Sequence, residues 1–70
     1  MNNKFAERLK ELRKECKMSQ AQLATKLGVN QRTISNWEKE IRQPDYDMLL
    51  KIATVLDVST DYLLGLSEYS

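Results

Sequence analysis

Residues 19–38 read Ser-Gln-Ala-Gln-Leu-Ala-Thr-Lys-Leu-Gly-Val-Asn-Gln-Arg-Thr-Ile-Ser-Asn-Trp-Glu. Ser19 suits a helix N-cap, and Gln22 three residues on completes a capping box. Met18 ahead of the cap and Leu23 at the fourth helical position form a hydrophobic staple. Leu23, Ala24 and Leu27 share one face, and Gly28 supplies the left-handed conformation that ends a helix sharply. Val29, Asn30 and Ile34 then repeat the staple and cap. The stretch therefore predicts two short helices joined by a tight turn, the second at about residues 30–39. In that second helix Ile34 and Trp37, three apart, face inward. Gln31, Arg32, Ser35 and Asn36 point elsewhere. Gln31, Arg32 and Asn36 carry the amide and guanidinium groups that form bidentate hydrogen bonds with base edges, and such a helix fits the major groove of DNA.

The same patterns extend outward. A first helix is expected from Asn3 to Lys17, with Phe5, Leu9, Leu12 and Cys16 as its apolar stripe. Glu7, Lys10, Glu11, Arg13 and Lys14 fill its other faces. Pro44-Asp45 opens a fourth helix, with Asp45 as cap and Asp47 in the favourable first turn. Its broad apolar face comprises Tyr46, Leu49, Leu50, Ile52, Ala53 and Leu56, and Asp57 is the expected stop. Val58, cap Ser59 and Leu63 make a third staple, for a short fifth helix from Ser59 to Leu64 ended by Gly65. Leu66 to Ser70 is expected to be loosely ordered. The fold class is thus all-α: five helices in one domain over residues 1–70, with a helix-turn-helix formed by the second and third.

Composition narrows the function. The 70 residues are 41% hydrophobic and 30% charged with two Gly and one Pro, which suits a compact helical domain. No apolar run approaches the ~18 residues of a membrane span and no signal-peptide pattern opens the chain, so a cytoplasmic location without membrane partners is expected. Cys16 is the one cysteine and there is no histidine. An internal disulfide and a zinc finger are excluded, and the commonest general base is missing. Cys16 is expected to be a small core hydrophobe. Asp45, Asp47, Asp57 and Asp61 fit no calcium loop. With no nucleophile elbow or phosphate loop either, no enzyme activity, cofactor, metal or small-molecule substrate is expected. Net charge is only +1, but residues 1–43 hold ten Lys/Arg against five Asp/Glu and residues 44–70 hold one against five. The half with the reading helix is the basic half, as phosphate attraction requires.

These residues resemble the phage repressor and Cro-type helix-turn-helix family, also called the xenobiotic-response-element type. The carriers are Arg-Leu-Lys-Glu-Leu-Arg at 8–13, Met-Ser-Gln-Ala-Gln-Leu-Ala at 18–24, Leu-Gly-Val at 27–29 and Thr-Ile-Ser-Asn-Trp-Glu at 33–38. Pro-Asp at 44–45, Leu-Leu-Lys-Ile-Ala at 49–53 and Val-Ser-Thr-Asp-Tyr-Leu-Leu-Gly at 58–65 complete them. The resemblance spans about residues 4–66. It implies that the third helix enters the major groove, that Gln31, Arg32 and Asn36 supply base contacts, and that Gln20 touches the backbone and helps orient the reading helix. Two departures stand out. Lys39-Glu40 occupies a place where many relatives have Asn-Gly, and a Glu near phosphate suggests a differently placed loop. Asp57 stands where many have Gly.

The expected function is a sequence-specific, double-stranded DNA-binding regulator, most simply a repressor. Asn30, Thr33, Ser35, Lys39 and Arg42 join Gln20 as candidate backbone contacts; Arg8, Lys10 and Lys14 are weaker candidates. One reading helix covers too little duplex for strong specific binding, so a homodimer on a palindrome is expected, with Tyr62, Leu63, Leu66 and Tyr69 as its interface. Trp37 is expected in the core rather than as a stacking platform, and Glu38 as a structural acceptor. A protein-interaction module on the same fold is the rival reading, but such a surface favours exposed aromatics over the polar tip of this helix.

Overall fold

The structure is a computed structural model that describes residues 4–69. Five helices follow one another: α1 (Phe5–Glu15), α2 (Gln20–Leu27), α3 (Gln31–Glu38), α4 (Tyr46–Leu56) and α5 (Thr60–Leu64). The expected start at Asn3 and the chain end at Ser70 lie outside the described residues.

Local chemistry sets the boundaries of α2 to α5. Ser19 Oγ accepts the Gln22 N–H at 3.0 Å while Gln22 Oε1 accepts the Ser19 N–H at 2.8 Å, which completes the capping box. Asn30, Asp45 and Ser59 cap α3, α4 and α5 by accepting from Thr33, Met48 and Tyr62 N–H groups. Each such cap stabilises a helix by about 1 kcal/mol. Gly28 and Asp57 end α2 and α4 in the left-handed conformation, at φ 74° and 57°. A second device holds the end of α2: Lys51 Nζ donates to the Leu27 carbonyl at 2.9 Å, placing a cation where the helix dipole is negative.

α1 stops at Glu15, two residues short of the expected end. Lys17 turns left-handed (φ 57°), and the Met18 N–H returns to the Arg13 carbonyl at 3.0 Å. This early stop carries Cys16 off the apolar stripe, and it is exposed rather than a core residue.

The core joins all five helices: Phe5, Leu9 and Leu12 from α1, Leu23, Ala24 and Leu27 from α2, Ile34 and Trp37 from α3, Ile52, Ala53 and Leu56 from α4, and Leu63 from α5. The staple residues Met18, Val29 and Val58 pack against it. The apolar face of α4 is narrower than expected, because Tyr46 (73% exposed) and Leu50 lie outside it. Tyr46 is the first residue of the helix, beyond the edge of the core.

Two arginines of α1 expected on solvent-facing positions are buried instead. Arg8 Nη1 donates to the carbonyls of Tyr62 (3.0 Å) and Ser67 (3.2 Å), and its guanidinium lies 4.1 Å from the centre of the Tyr62 ring. Glu68 sits 3.7 Å from its Nη2. Arg8 is thereby removed from the candidate phosphate contacts. It instead ties residues 67–68 to α1, so this part of the tail is held rather than loose.

Candidate nucleic-acid interface

α3 is fixed from beneath by Ile34 and Trp37, both buried. The Trp37 ring meets Phe5 edge-on, with centroids 6.4 Å apart and planes at 70°. That seat turns the opposite side outward. Gln31 and Arg32 are exposed, while Thr33, Ser35 and Asn36 are half-buried. Gln31 and Arg32 also open the helix, so their backbone N–H groups lack intrahelical acceptors.

Asn30 and Thr33 are partly committed to the cap. Asn30 Oδ1 accepts from both the Thr33 N–H and the Thr33 hydroxyl, each at 3.0 Å. The Asn30 amide nitrogen stays available as a donor, and the Thr33 hydroxyl proton does not.

Near the end of α3 lies an ion pair between Arg13 and Glu38. Arg13 Nε donates to Glu38 Oε2 at 2.7 Å and Nη2 to Oε1 at 3.2 Å, while Nη1 donates to the Met18 carbonyl at 2.9 Å. Both side chains are almost enclosed. Glu38 is thus the structural acceptor that its sequence context suggested, whereas its partner Arg13 was expected on the surface.

The network reaches the surface through Gln20, whose Nε2 donates to Glu38 Oε1 at 3.1 Å. A carboxylate only accepts, so this bond sets which way the Gln20 amide points. Its nitrogen turns inward and its oxygen outward, where Gln31 Nε2 approaches to 3.5 Å. Gln31 keeps its own oxygen and one N–H free, side by side. That edge matches the N6 donor and N7 acceptor of adenine. Gln20 also opens α2, where unpaired N–H groups and the helix dipole favour an anion.

Past α3 the chain folds back on the helix. The Ile41 and Arg42 N–H groups both reach the Asn36 carbonyl, at 2.9 and 3.4 Å. Glu40 adopts φ 62°, the left-handed region that glycine enters freely, so Lys39-Glu40 makes this tight turn without a glycine. Lys39 and Arg42 are exposed on either side.

On α5 and the segment after it, Leu66 (74%) and Tyr69 (84%) are exposed, and Tyr62 is half-buried beneath Arg8. Leu63 is fully enclosed in the core, which removes it from the expected dimer interface.

Among the described residues no group of three or more His, Cys, Asp or Glu is placed to hold a metal ion, and no helix is long and apolar enough to cross a membrane.

Two helices joined by a tight turn, the second seated on a core and bare at its N-terminal tip, define a helix-turn-helix protein. The chain belongs to the helix-turn-helix family, whose pattern it matches over residues 9–63. It is 45% identical over 66 residues to the HTH-type transcriptional regulator ImmR of Bacillus subtilis (strain 168), covering 94% of this chain and 52% of that protein. It spans about half the length of that relative. Its fold superposes on the P22 c2 repressor in complex with a synthetic operator at a TM-score of 0.84, with 36% identity over 90% of this chain and 96% of that one. For SinR, a master regulator of biofilm formation solved in complex with DNA, the TM-score is 0.79, with 38% identity over 86% of this chain and 97% of that one. The relatives just named are transcriptional regulators and a repressor.

Proposed function

We propose that this chain is a sequence-specific, double-stranded DNA-binding transcriptional regulator, a repressor of the phage or mobile-element type, working in the cytoplasm. The observation that carries the proposal is the tip of α3. Gln31 and Arg32 are exposed on its first turn while Ile34 and Trp37 lock the opposite side. The likeness to the P22 c2 repressor, itself solved on a synthetic operator, supports it.

In this reading Gln31 pairs with adenine and Arg32 with guanine, through the O6 and N7 acceptors of that base. Asn36, one turn further along, supplies a third base contact. Gln20, Asn30, Thr33, Ser35, Lys39 and Arg42 hold the phosphates and set the register. Thr33 serves through its methyl, since both its N–H and its hydroxyl are bound to Asn30. A homodimer places two copies of α3 about 34 Å apart on a palindrome, using Tyr62, Leu66 and Tyr69. Repression then follows from occupancy of a promoter, and no chemistry is required.

Selection of bound duplexes from a random pool is the direct test. Two half-sites about one helical turn apart are expected, and recovery of no consensus refutes the reading. Sedimentation of the chain on that duplex should show two copies bound, and one copy per full site defeats the dimer.

Arg32→Ala is expected to weaken operator binding by about 1–3 kcal/mol and to relax selectivity at one base position. Equal losses on operator and scrambled duplex demote Arg32 to a phosphate contact. Arg42→Ala should instead weaken all duplexes alike and lower the slope of log affinity against log salt by about one unit. An unchanged slope takes Arg42 off the interface.

A further inference from the structure

Glu40 breaks two local preferences at once. It is a non-glycine residue at φ 62°. It brings a negative charge to the C-terminal end of α3, where the helix dipole is already negative. Its carboxylate is exposed and has no hydrogen-bond or ion-pair partner among the described residues, although Lys39 and Arg42 stand on either side of it. Its position is nonetheless well defined. The Glu40 N–H is bonded to the Trp37 carbonyl at 3.2 Å, and the next two residues hang from the Asn36 carbonyl. The backbone of Glu40 is therefore held just past the last turn of α3, in a turn that also carries the two cations assigned to the phosphate backbone. A sequence that violates local rules in this way at the rim of a binding surface does so most often for function.

We infer that Glu40 is an affinity-limiting residue of the interface: a negative charge on the turn after α3 that repels the phosphate backbone and lowers the affinity for every duplex. The inference rests on the DNA-binding reading above. Non-specific binding draws nearly all of its free energy from phosphate neutralisation. Glu40 offsets part of what Lys39 and Arg42 contribute, so stray sequence is held weakly. An operator is still held, because Gln31, Arg32 and Asn36 add base contacts there.

Fluorescence anisotropy with the whole chain tests this, using two probes: a duplex from the selection and a random duplex. Glu40→Gln removes the charge and keeps the shape and the backbone strain. It is expected to bind both duplexes about three- to tenfold tighter at low salt, the size of one like-charge interaction across a wet interface. The gain should fade as salt is raised towards ~1 M, where the screening length is about 3 Å. Glu40→Gly, which also relieves the strain, should reproduce that gain and melt at a higher temperature. Unchanged affinity in Glu40→Gln overturns the inference while leaving the regulator reading intact. So does weaker binding to the selected duplex alone, which makes the carboxylate an acceptor for a cytosine amine. Failure of the unaltered chain to bind any duplex sinks the regulator reading, and this inference with it.

Discussion

Glu38→Ala is expected to cost about 3–5 kcal/mol of folding free energy, because it strands the Arg13 guanidinium in an almost enclosed site. A chain of this length has roughly 4–10 kcal/mol in all, so the variant should be partly unfolded at 25 °C. Arg13→Ala should behave alike, leaving Glu38 with only the single Gln20 N–H. The pair is not irreplaceable for stability. Arg13→Met with Glu38→Leu fills similar volume without burying charge, and should recover most of the loss. It should not recover DNA affinity, because Gln20 then has no acceptor to orient its amide and Gln31 no ordered neighbour. Urea unfolding followed by circular dichroism gives the first quantity and anisotropy the second. A loss below about 1 kcal/mol in either alanine variant shows the site to be wetter than the geometry implies.

Much of the fold was legible because its signals are local. Ser19, Asn30, Asp45 and Ser59 each bond a backbone N–H three residues ahead, so a short window of sequence contains both partners. The rotation of α3 was legible for the same reason. Once Asn30 starts the helix and Ile34 and Trp37 face inward, Gln31 and Arg32 have nowhere to go but out.

The misses are non-local. Arg13 finds its partner 25 residues away and Arg8 finds its acceptor 54 residues away. Nothing in their neighbourhood distinguishes them from the solvated Lys10 and Lys14. The one available hint was position: Arg13 adjoins Leu12 at the edge of the apolar stripe, and Glu38 adjoins the inward-facing Trp37. Cys16 was misplaced because the helix ends through a left-handed Lys17, a turn that no glycine announces. Tyr46 and Leu50 lie outside the core: apolar character marks a face and not where that face stops. Of the candidate interface, the exposure of Gln31 and Arg32 was legible and the relay from Glu38 through Gln20 was not. That relay depends on the packing of α2 against α3.

Trp37→Ala is the other change expected to approach the limit of stability. The side chain is buried and bridges α3 to Phe5 on α1. Removing it deletes the largest core residue of the reading helix and the edge-to-face contact, at about 3–5 kcal/mol. Trp37→Phe keeps an aromatic ring in the same seat and should cost about half as much. The defect differs in kind from that of Glu38→Ala. A cavity under α3 leaves Gln31, Arg32 and the Arg13–Glu38 relay chemically intact, so whatever fraction of Trp37→Ala folds should still recognise the selected duplex. Mass action then makes the duplex a rescuer: at a free concentration a hundredfold above the dissociation constant it adds about 2.7 kcal/mol to the folded state. Helical circular dichroism, recorded with and without that duplex, should show Trp37→Ala melting well below the unaltered chain when free and recovering much of the difference when bound. A scrambled duplex at equal concentration should recover far less. If both duplexes restore the helix equally, the fold is being held by phosphate contacts alone, and the base-reading role given to the tip of α3 fails.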